Sequence, residues 1–246
     1  MMEVLYEDNH IIAVNKTCNE IVQGDKTGDT PLSEIVKDYI KVKYNKPGEV
    51  FLGVTHRLDR PTSGVVLFAR TSKALSRLNE MFREKSVSPK DGLSAERSVL
   101  CQPEGRSIKK TYWAIVQGAP KVPEARLENW LVKNEAQNKS YIVKPHTKDA
   151  KQAILNYRTL VRGENYTLLE VDLETGRHHQ IRCQLAAIGC PIKGDLKYGA
   201  KRSNPDGGIC LHARKIEFIH PVSKEQLCIT APTPEDSLWQ QLSASL

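Results

Sequence analysis

Apolar residues along the chain fall mostly into short alternating or continuous runs separated by polar turns, with helical spacing in a few places only. Val4-Leu5-Tyr6 and Ile11-Ile12-Ala13-Val14 read as two strands joined by the turn Glu7-Asp8-Asn9-His10. Thr30 is expected to cap a helix with Pro31 at its first position, since Leu32, Ile35, Val36, Tyr39 and Ile40 then share one face. Val65-Val66-Leu67-Phe68-Ala69 suits a buried strand, and Thr71 or Ser72 caps a second helix whose apolar face is Leu75, Leu78 and Phe82. Ile108 to Val116 alternates as a strand that places Tyr112, Ala114 and Val116 on one face. Trp130-Leu131-Val132 and Tyr141-Ile142-Val143 are expected at sheet edges, around a polar hairpin tip at 133–139. Tyr166 to Leu173 is a further strand, turned by Glu174-Thr175-Gly176. A helix is predicted to start at Arg177, bury Ile181, Leu185 and Ile188, and stop at Gly189 before Pro191. Strand followed by helix gives a mixed helix-and-sheet class.

Periodicity vanishes over residues 86–107, where Ser, Pro, Gly, Lys and Glu dominate. No linker divides the chain, so its 246 residues are expected to form one domain, 1–246, with 86–107 as an insertion or flexible loop. Lengthening a surface loop costs little free energy, so a tolerated insertion is one reading of this stretch.

Charge alters the picture modestly. Lys and Arg number 36 against 29 Asp and Glu, a net +7 that suits a polyanion but equally a solvated surface. No apolar run approaches the roughly 18 residues needed to span a bilayer, and the N-terminus is acidic where a signal peptide is basic, so a cytoplasmic protein is expected. The six cysteines form no C-x-x-C pair and are expected as free thiols. Neither G-x-G-x-x-G nor G-x-x-x-x-G-K-[ST] occurs. Adjacent His178 and His179, with His212 and His220, raise the thought of a metal. Neighbouring helical residues point about 100° apart and no H-E-x-x-H is present, so none is expected.

The candidate chemistry centres on His56-Arg57-Leu58-Asp59-Arg60-Pro61-Thr62-Ser63-Gly64. Asp before Thr-Ser-Gly is ordinary turn chemistry, but a turn needs no arginines. Two flanking guanidiniums, which cannot lose their protons, are expected to keep a carboxylate between them ionised and fit for covalent catalysis.

H-R-L-D-x-x-T-S-G resembles the signature of RluA-type pseudouridine synthases, which isomerise uridine within RNA. L-Y-E-D-N-H-I-I-A-V-N-K resembles the opening strands of their catalytic domain, K-K-x-Y at Lys109 to Tyr112 their second motif, and L-E-T-G-R-H-H-Q-I-R their third. Gly194-Asp195-Leu196-Lys197-Tyr198-Gly199 and Leu211-His212-Ala213 also look familiar.

The resemblance implies an α+β fold, a mixed and largely antiparallel central sheet flanked by helices, without the small RNA-binding module that many relatives carry in front. It implies Asp59 as the catalytic residue, Arg182 as the arginine pairing with it, and Tyr112 lying against the target base. RNA contacts are expected from His56, Arg57, Lys109, Lys110, Arg177 and His179, with Arg57 filling the gap left by a flipped nucleotide. No cofactor or metal is expected. The expected partner is a structured ribosomal or transfer RNA stem-loop, met by a monomer. The 86–107 insertion departs from the family pattern, and an RNA-touching flap is its second reading. Two other function classes stand beside this one: a binding module without catalysis, and a glycosidase, which needs a second carboxylate about 5–10 Å from Asp59.

Overall fold

The computed structural model describes residues 2–25, 27–83 and 108–246, so the expected insertion at 86–107 lies outside the described residues. In chain order the elements are β1 (Glu3–Glu7), β2 (Ile11–Lys16), α1 (Leu32–Lys43), β3 (Gly53–Val54), β4 (Ser63–Ala69), α2 (Ser72–Arg83), β5 (Lys109–Gln117), β6 (Glu124–Asn134), β7 (Lys139–Val143), β8 (Lys151–Arg162), β9 (Tyr166–Leu173), α3 (Gln180–Ala187), a single 3-10 turn (Leu196–Tyr198), β10 (Leu211–Ile219), β11 (Gln226–Thr230) and α4 (Ser237–Ser243).

One sheet carries these strands in the order β1-β2-β4-β10-β5-β9-β8-β6-β7, with β3 added to β4 and β11 to β10. Among the described residues every named strand pair is antiparallel except β4 with β10, where Ser63 lies beside His212 and Gly64 beside Ala213. The fold is α+β, a mixed sheet with few helices. The single parallel pair joins the two halves of the sheet at the strand that follows Asp59.

The apolar run of β4 is explained by cover on both faces. Val65, Leu67 and Ala69 pack with Ala74, Leu78 and Met81 of α2, while Val66 and Phe68 join Leu32, Val36 and Ile40 of α1 on the opposite side. Tyr112, Ala114 and Val116 of β5 belong to this second cluster, together with Ile181 and Leu185 of α3. The site described below lies on that face.

Helix starts differ from the sequence reading for local reasons. Pro31 is the N-cap of α1 rather than its first residue, with extended backbone (φ −76°, ψ 153°), and its carbonyl accepts from the amides of Glu34 and Ile35. Thr71 caps α2, its Oγ1 accepting from the Ala74 amide at 3.2 Å. Helix α3 starts at Gln180, not Arg177. Gln180 Oε1 accepts from the Arg177 amide (3.0 Å) and from Thr175 Oγ1 (2.8 Å), which holds 175–179 as a turn. His179 takes the left-handed conformation (φ 51°) at its end. The two histidines are therefore not splayed by helical geometry, and their rings stack with centroids 3.8 Å apart.

Gly64, the second residue of β4, has φ +113°, and a Cβ there would fall far inside contact distance of the Ala213 backbone. Gly64→Ala combines a forbidden backbone region with a clash that cannot move away. Chemical denaturation of the variant is expected to show a loss of about 3 kcal/mol or more.

Candidate active site

Asp59 sits in the loop 55–62 between β3 and β4, and buried polar contacts seat that loop. Lys16, fully buried at the end of β2, donates Nζ–H bonds to the carbonyls of Thr17 (2.9 Å), Arg60 (3.0 Å) and Thr62 (2.6 Å). Burial pulls its ammonium down to about 8. The Thr62 amide closes a turn onto the Asp59 carbonyl at 3.0 Å, and the Ile209 amide donates to the Pro61 carbonyl at 3.0 Å. His56 accepts the Leu67 amide on Nε2 (3.0 Å) and packs on Phe82, tying the loop to β4 and α2. Burial drives the His56 pKa down to about 3, so the ring is neutral and brings no positive charge to a phosphate.

The flanking arginines do not act on Asp59 as the sequence suggests. Arg60 turns outward to Asp29 at 2.7 Å and to Thr27 Oγ1 at 2.8 Å. Arg57 is exposed and makes no ion pair or hydrogen bond with the described residues. The cation beside Asp59 is Arg182, from the middle of α3, whose Nη1 donates to Oδ2 at 3.2 Å.

Arg182 is buried and held from several sides. Nε and Nη2 donate to the two oxygens of Asp195 at 2.7 and 2.8 Å, a bidentate pair that fixes the guanidinium plane. Asp195, 1% exposed, spends both oxygens there. Nη1 also meets His179 Nε2 at 2.9 Å. A guanidinium can only donate, so Nε2 is the acceptor and the imidazole proton sits on Nδ1, facing Tyr198 Oη at 3.0 Å. His179 Nε2 also lies 3.4 Å from Asp59, but this is no ion pair. Burial, then Arg182, pushes the His179 pKa far down, and the ring is neutral. Tyr198 Oη accepts the Ser140 amide at 2.8 Å, leaving its own proton for the Ser140 carbonyl at 3.3 Å. Burial raises this hydroxyl to about 12.

Tyr112 approaches Asp59 from β5. Burial first, then the Asp59 charge, raises its pKa well above the ordinary tyrosine value. Its hydroxyl makes no hydrogen bond within the described residues. Strand alternation separates the two neighbouring lysines. Lys110 shares the Tyr112 face, without a carboxylate partner among the described residues and with a pKa lowered by burial. Lys109 points the other way, toward Asp172 (3.6 Å) and Glu217 (4.0 Å). Arg177 donates Nε–H to the Gln152 carbonyl at 2.9 Å.

The structure thus brings Asp59, Arg182, His179 and Tyr112 together and leaves Lys109 behind the sheet. Sequence reasoning missed four residues that hold the group: Lys16, Asp195 and Tyr198 by their side chains, and Ser140 by its backbone. Asp195 and Tyr198 lie in a stretch already singled out as familiar but given no role, whereas no pattern around Ser140 could have found it. Asp195 is a second carboxylate beside Arg182, the feature a glycosidase requires. Buried and bonded through both oxygens, it offers no acid to a substrate.

A family described as RNA pseudouridylate synthase matches residues 10–187 of the chain. A ribosomal large subunit pseudouridine synthase D of Xanthomonas campestris pv. campestris is 31% identical over 248 residues, covering 96% of this chain and 67% of that protein. A tRNA pseudouridine synthase C of Vibrio cholerae serotype O1 is 30% identical over 260 residues, covering 98% of this chain and 94% of that one. Among solved structures, human RNA pseudouridylate synthase domain containing 4 has the same fold, with a TM-score of 0.72 at 22% identity over 95% of this chain and 89% of that chain.

Asp195→Asn leaves the buried Arg182 short of one charge partner. Breaking such a pair costs on the order of 3 kcal/mol. Denaturant unfolding is expected to show that loss, and a loss below about 1 kcal/mol would mean that Asp195 is not what holds the guanidinium.

Proposed function

Because the chain belongs to the RNA pseudouridylate synthase family, RluA type, we infer that it is an RNA pseudouridine synthase. From that premise we propose that Asp59 is its catalyst and that the target is a uridine in a ribosomal or transfer RNA stem-loop, handled by a monomer. The single observation carrying the catalytic assignment is the Arg182 to Asp59 contact across 123 positions of sequence. It leaves the carboxylate partly open, with 34% of the side chain exposed.

The reaction breaks the bond from C1′ of ribose to N1 of uracil and makes one from C1′ to C5, while the C5 proton is lost and N1 gains one. A base stacked in RNA must first leave the stack. Arg57, exposed in the Asp59 loop and without an ion pair or hydrogen bond among the described residues, is suited to fill the gap. The Asp59 carboxylate then serves either by bonding to C1′ or by assisting a glycal-like intermediate, and both routes use the same oxygen atoms. Arg182 orients that carboxylate from behind. Tyr112 enters as a neutral phenol, able to line the base pocket and relay the C5 proton.

Arg57, unpaired among the described residues, and the Lys110 ammonium on the Tyr112 face are suited to backbone phosphates, with Arg177 at the turn before α3. His56 and His179 contribute by holding the loop and Arg182 rather than by charge. Lys109, on the back of the sheet, would touch RNA only if the RNA wraps past the strand edge. Mapping pseudouridines in total RNA from cells with and without the gene identifies the substrate.

Asp59→Asn is expected to abolish pseudouridine formation on that RNA while RNA affinity stays within about twofold. Undiminished product would remove Asp59 from the mechanism. Tyr112→Phe, which loses only the hydroxyl, is expected to cut turnover by about a hundredfold or more, the range for a lost proton-transfer group. A turnover within about threefold of the parent would leave Tyr112 as packing alone.

A further inference from the structure

We propose that His178 is a proton-linked contact for the RNA backbone, its ring taking up a proton as a phosphate settles beside it. The proposal rests on the reading of this chain as an RNA-modifying enzyme. It concerns a residue that lies outside the helix and is not needed to hold Arg182.

The first observation is a hydrogen-bond arrangement that serves both charge states of the ring. His178 Nε2 faces Asn138 Oδ1 at 3.1 Å, and because that oxygen accepts, Nε2 carries a proton. Nδ1 faces Ser140 Oγ at 2.9 Å, and the same Oγ lies 2.7 Å from the His178 carbonyl. With a neutral ring the serine donates to Nδ1. With a protonated ring Nδ1 donates to Oγ, and the serine proton swings to the carbonyl. One hydroxyl rotation therefore accommodates the added proton without moving a heavy atom.

The second observation is the charge around the ring. His178 stacks on neutral His179 with centroids 3.8 Å apart. Burial and the charges of Lys133 and Arg182 oppose protonation, while Asp59 and Glu135 favour it. Arg182 serves two carboxylates, so the trio of Asp59, Asp195 and Arg182 carries a net charge of −1 and repels an incoming phosphate. Lys139 of β7, between Asn138 and Ser140, lies over the Tyr198 and Tyr141 rings at 5.1 and 5.3 Å, and the cations on either side of it are engaged. Lys133 pairs with Glu135 at 2.6 Å, and Lys197 donates to the Gln137 and Asn138 carbonyls at 3.2 and 3.0 Å. A phosphate adds to the side of Asp59 and Glu135, and the neutral ring is the group that can still gain charge.

The test is calorimetric titration of wild type and His178→Gln with bulk transfer RNA at pH 6.5, in two buffers of different ionisation enthalpy. Wild type is expected to take up a proton fraction on binding that His178→Gln lacks. Between pH 7.5 and 6.0 its affinity should tighten about threefold more than the variant's, within the ceiling of tenfold per pH unit for one linked proton. Ser140→Ala, which keeps the backbone amide on Tyr198, is expected to reduce the uptake by removing the acceptor for Nδ1. Equal proton uptake and equal pH dependence in wild type and His178→Gln would overturn the proposal. Pseudouridine formation on total RNA by the same wild-type preparation separates the two claims. If product forms while the uptake is equal, only this inference falls. If no product forms, the catalytic reading falls first.

Discussion

A single buried guanidinium organises this molecule's chemistry. Arg182 cannot shed its charge, and at 6% exposure it cannot be left to water. Asp195 meets that demand through two short bonds and aligns the fork, so that the remaining nitrogen points at Asp59. The chain thus keeps one carboxylate fully consumed and the other partly open to the surface. Two acids with the same side chain acquire different roles because one is enclosed and the other is not. His179, neutral through burial, completes the shell without competing as a cation.

The rest of the fold supplies the two ends of that contact. Lys16 gathers three carbonyls at the edge of the Asp59 loop, doing with one ammonium what separate backbone amides would otherwise have to do. On the far side, α3 is buried from Gln180 to Leu185, so its polar residues need internal partners. Gln184 Nε2 reaches Asn129 Oδ1 at 2.7 Å, and Gln180 Nε2 reaches the Ile154 carbonyl at 3.0 Å. These bonds stitch the helix to β6 and β8 and fix the angle at which Arg182 leaves it.

Much of this was legible in the chain. The β4 run, the α1 stripe and the alternation of β5 each carry a period that burial on a known face enforces, and motif resemblance pointed to Asp59, Tyr112 and Arg182. Less legible was α3, whose burial over six successive residues, Gln180 to Leu185, erases the polar face that marks an amphipathic helix. Its start was misplaced because Gln180 binds the preceding turn through its side chain, a contact no spacing reveals. The arginines flanking Asp59 suggested a local electrostatic pair, but sequence neighbours in a turn need not face each other, and Arg60 found Asp29 instead. Strands β8, β10 and β11 and helix α4 were not anticipated. Only β10 has distant strand partners, in β4 and β5, whereas β8 and β11 pair with the neighbouring strands β9 and β10, and β11 buries few of its residues.

The parallel pairing of β4 with β10 carries a consequence for how the protein matures. It ties Ser63 to His212 across 149 positions, so the pairing cannot form before the C-terminal part of the chain is in place. Until that seam closes, the Asp59 loop lacks the Ile209 amide that braces Pro61 from the C-terminal half. A nascent or partly unfolded chain therefore presents no assembled centre to cellular RNA, and competence arrives together with the completed sheet.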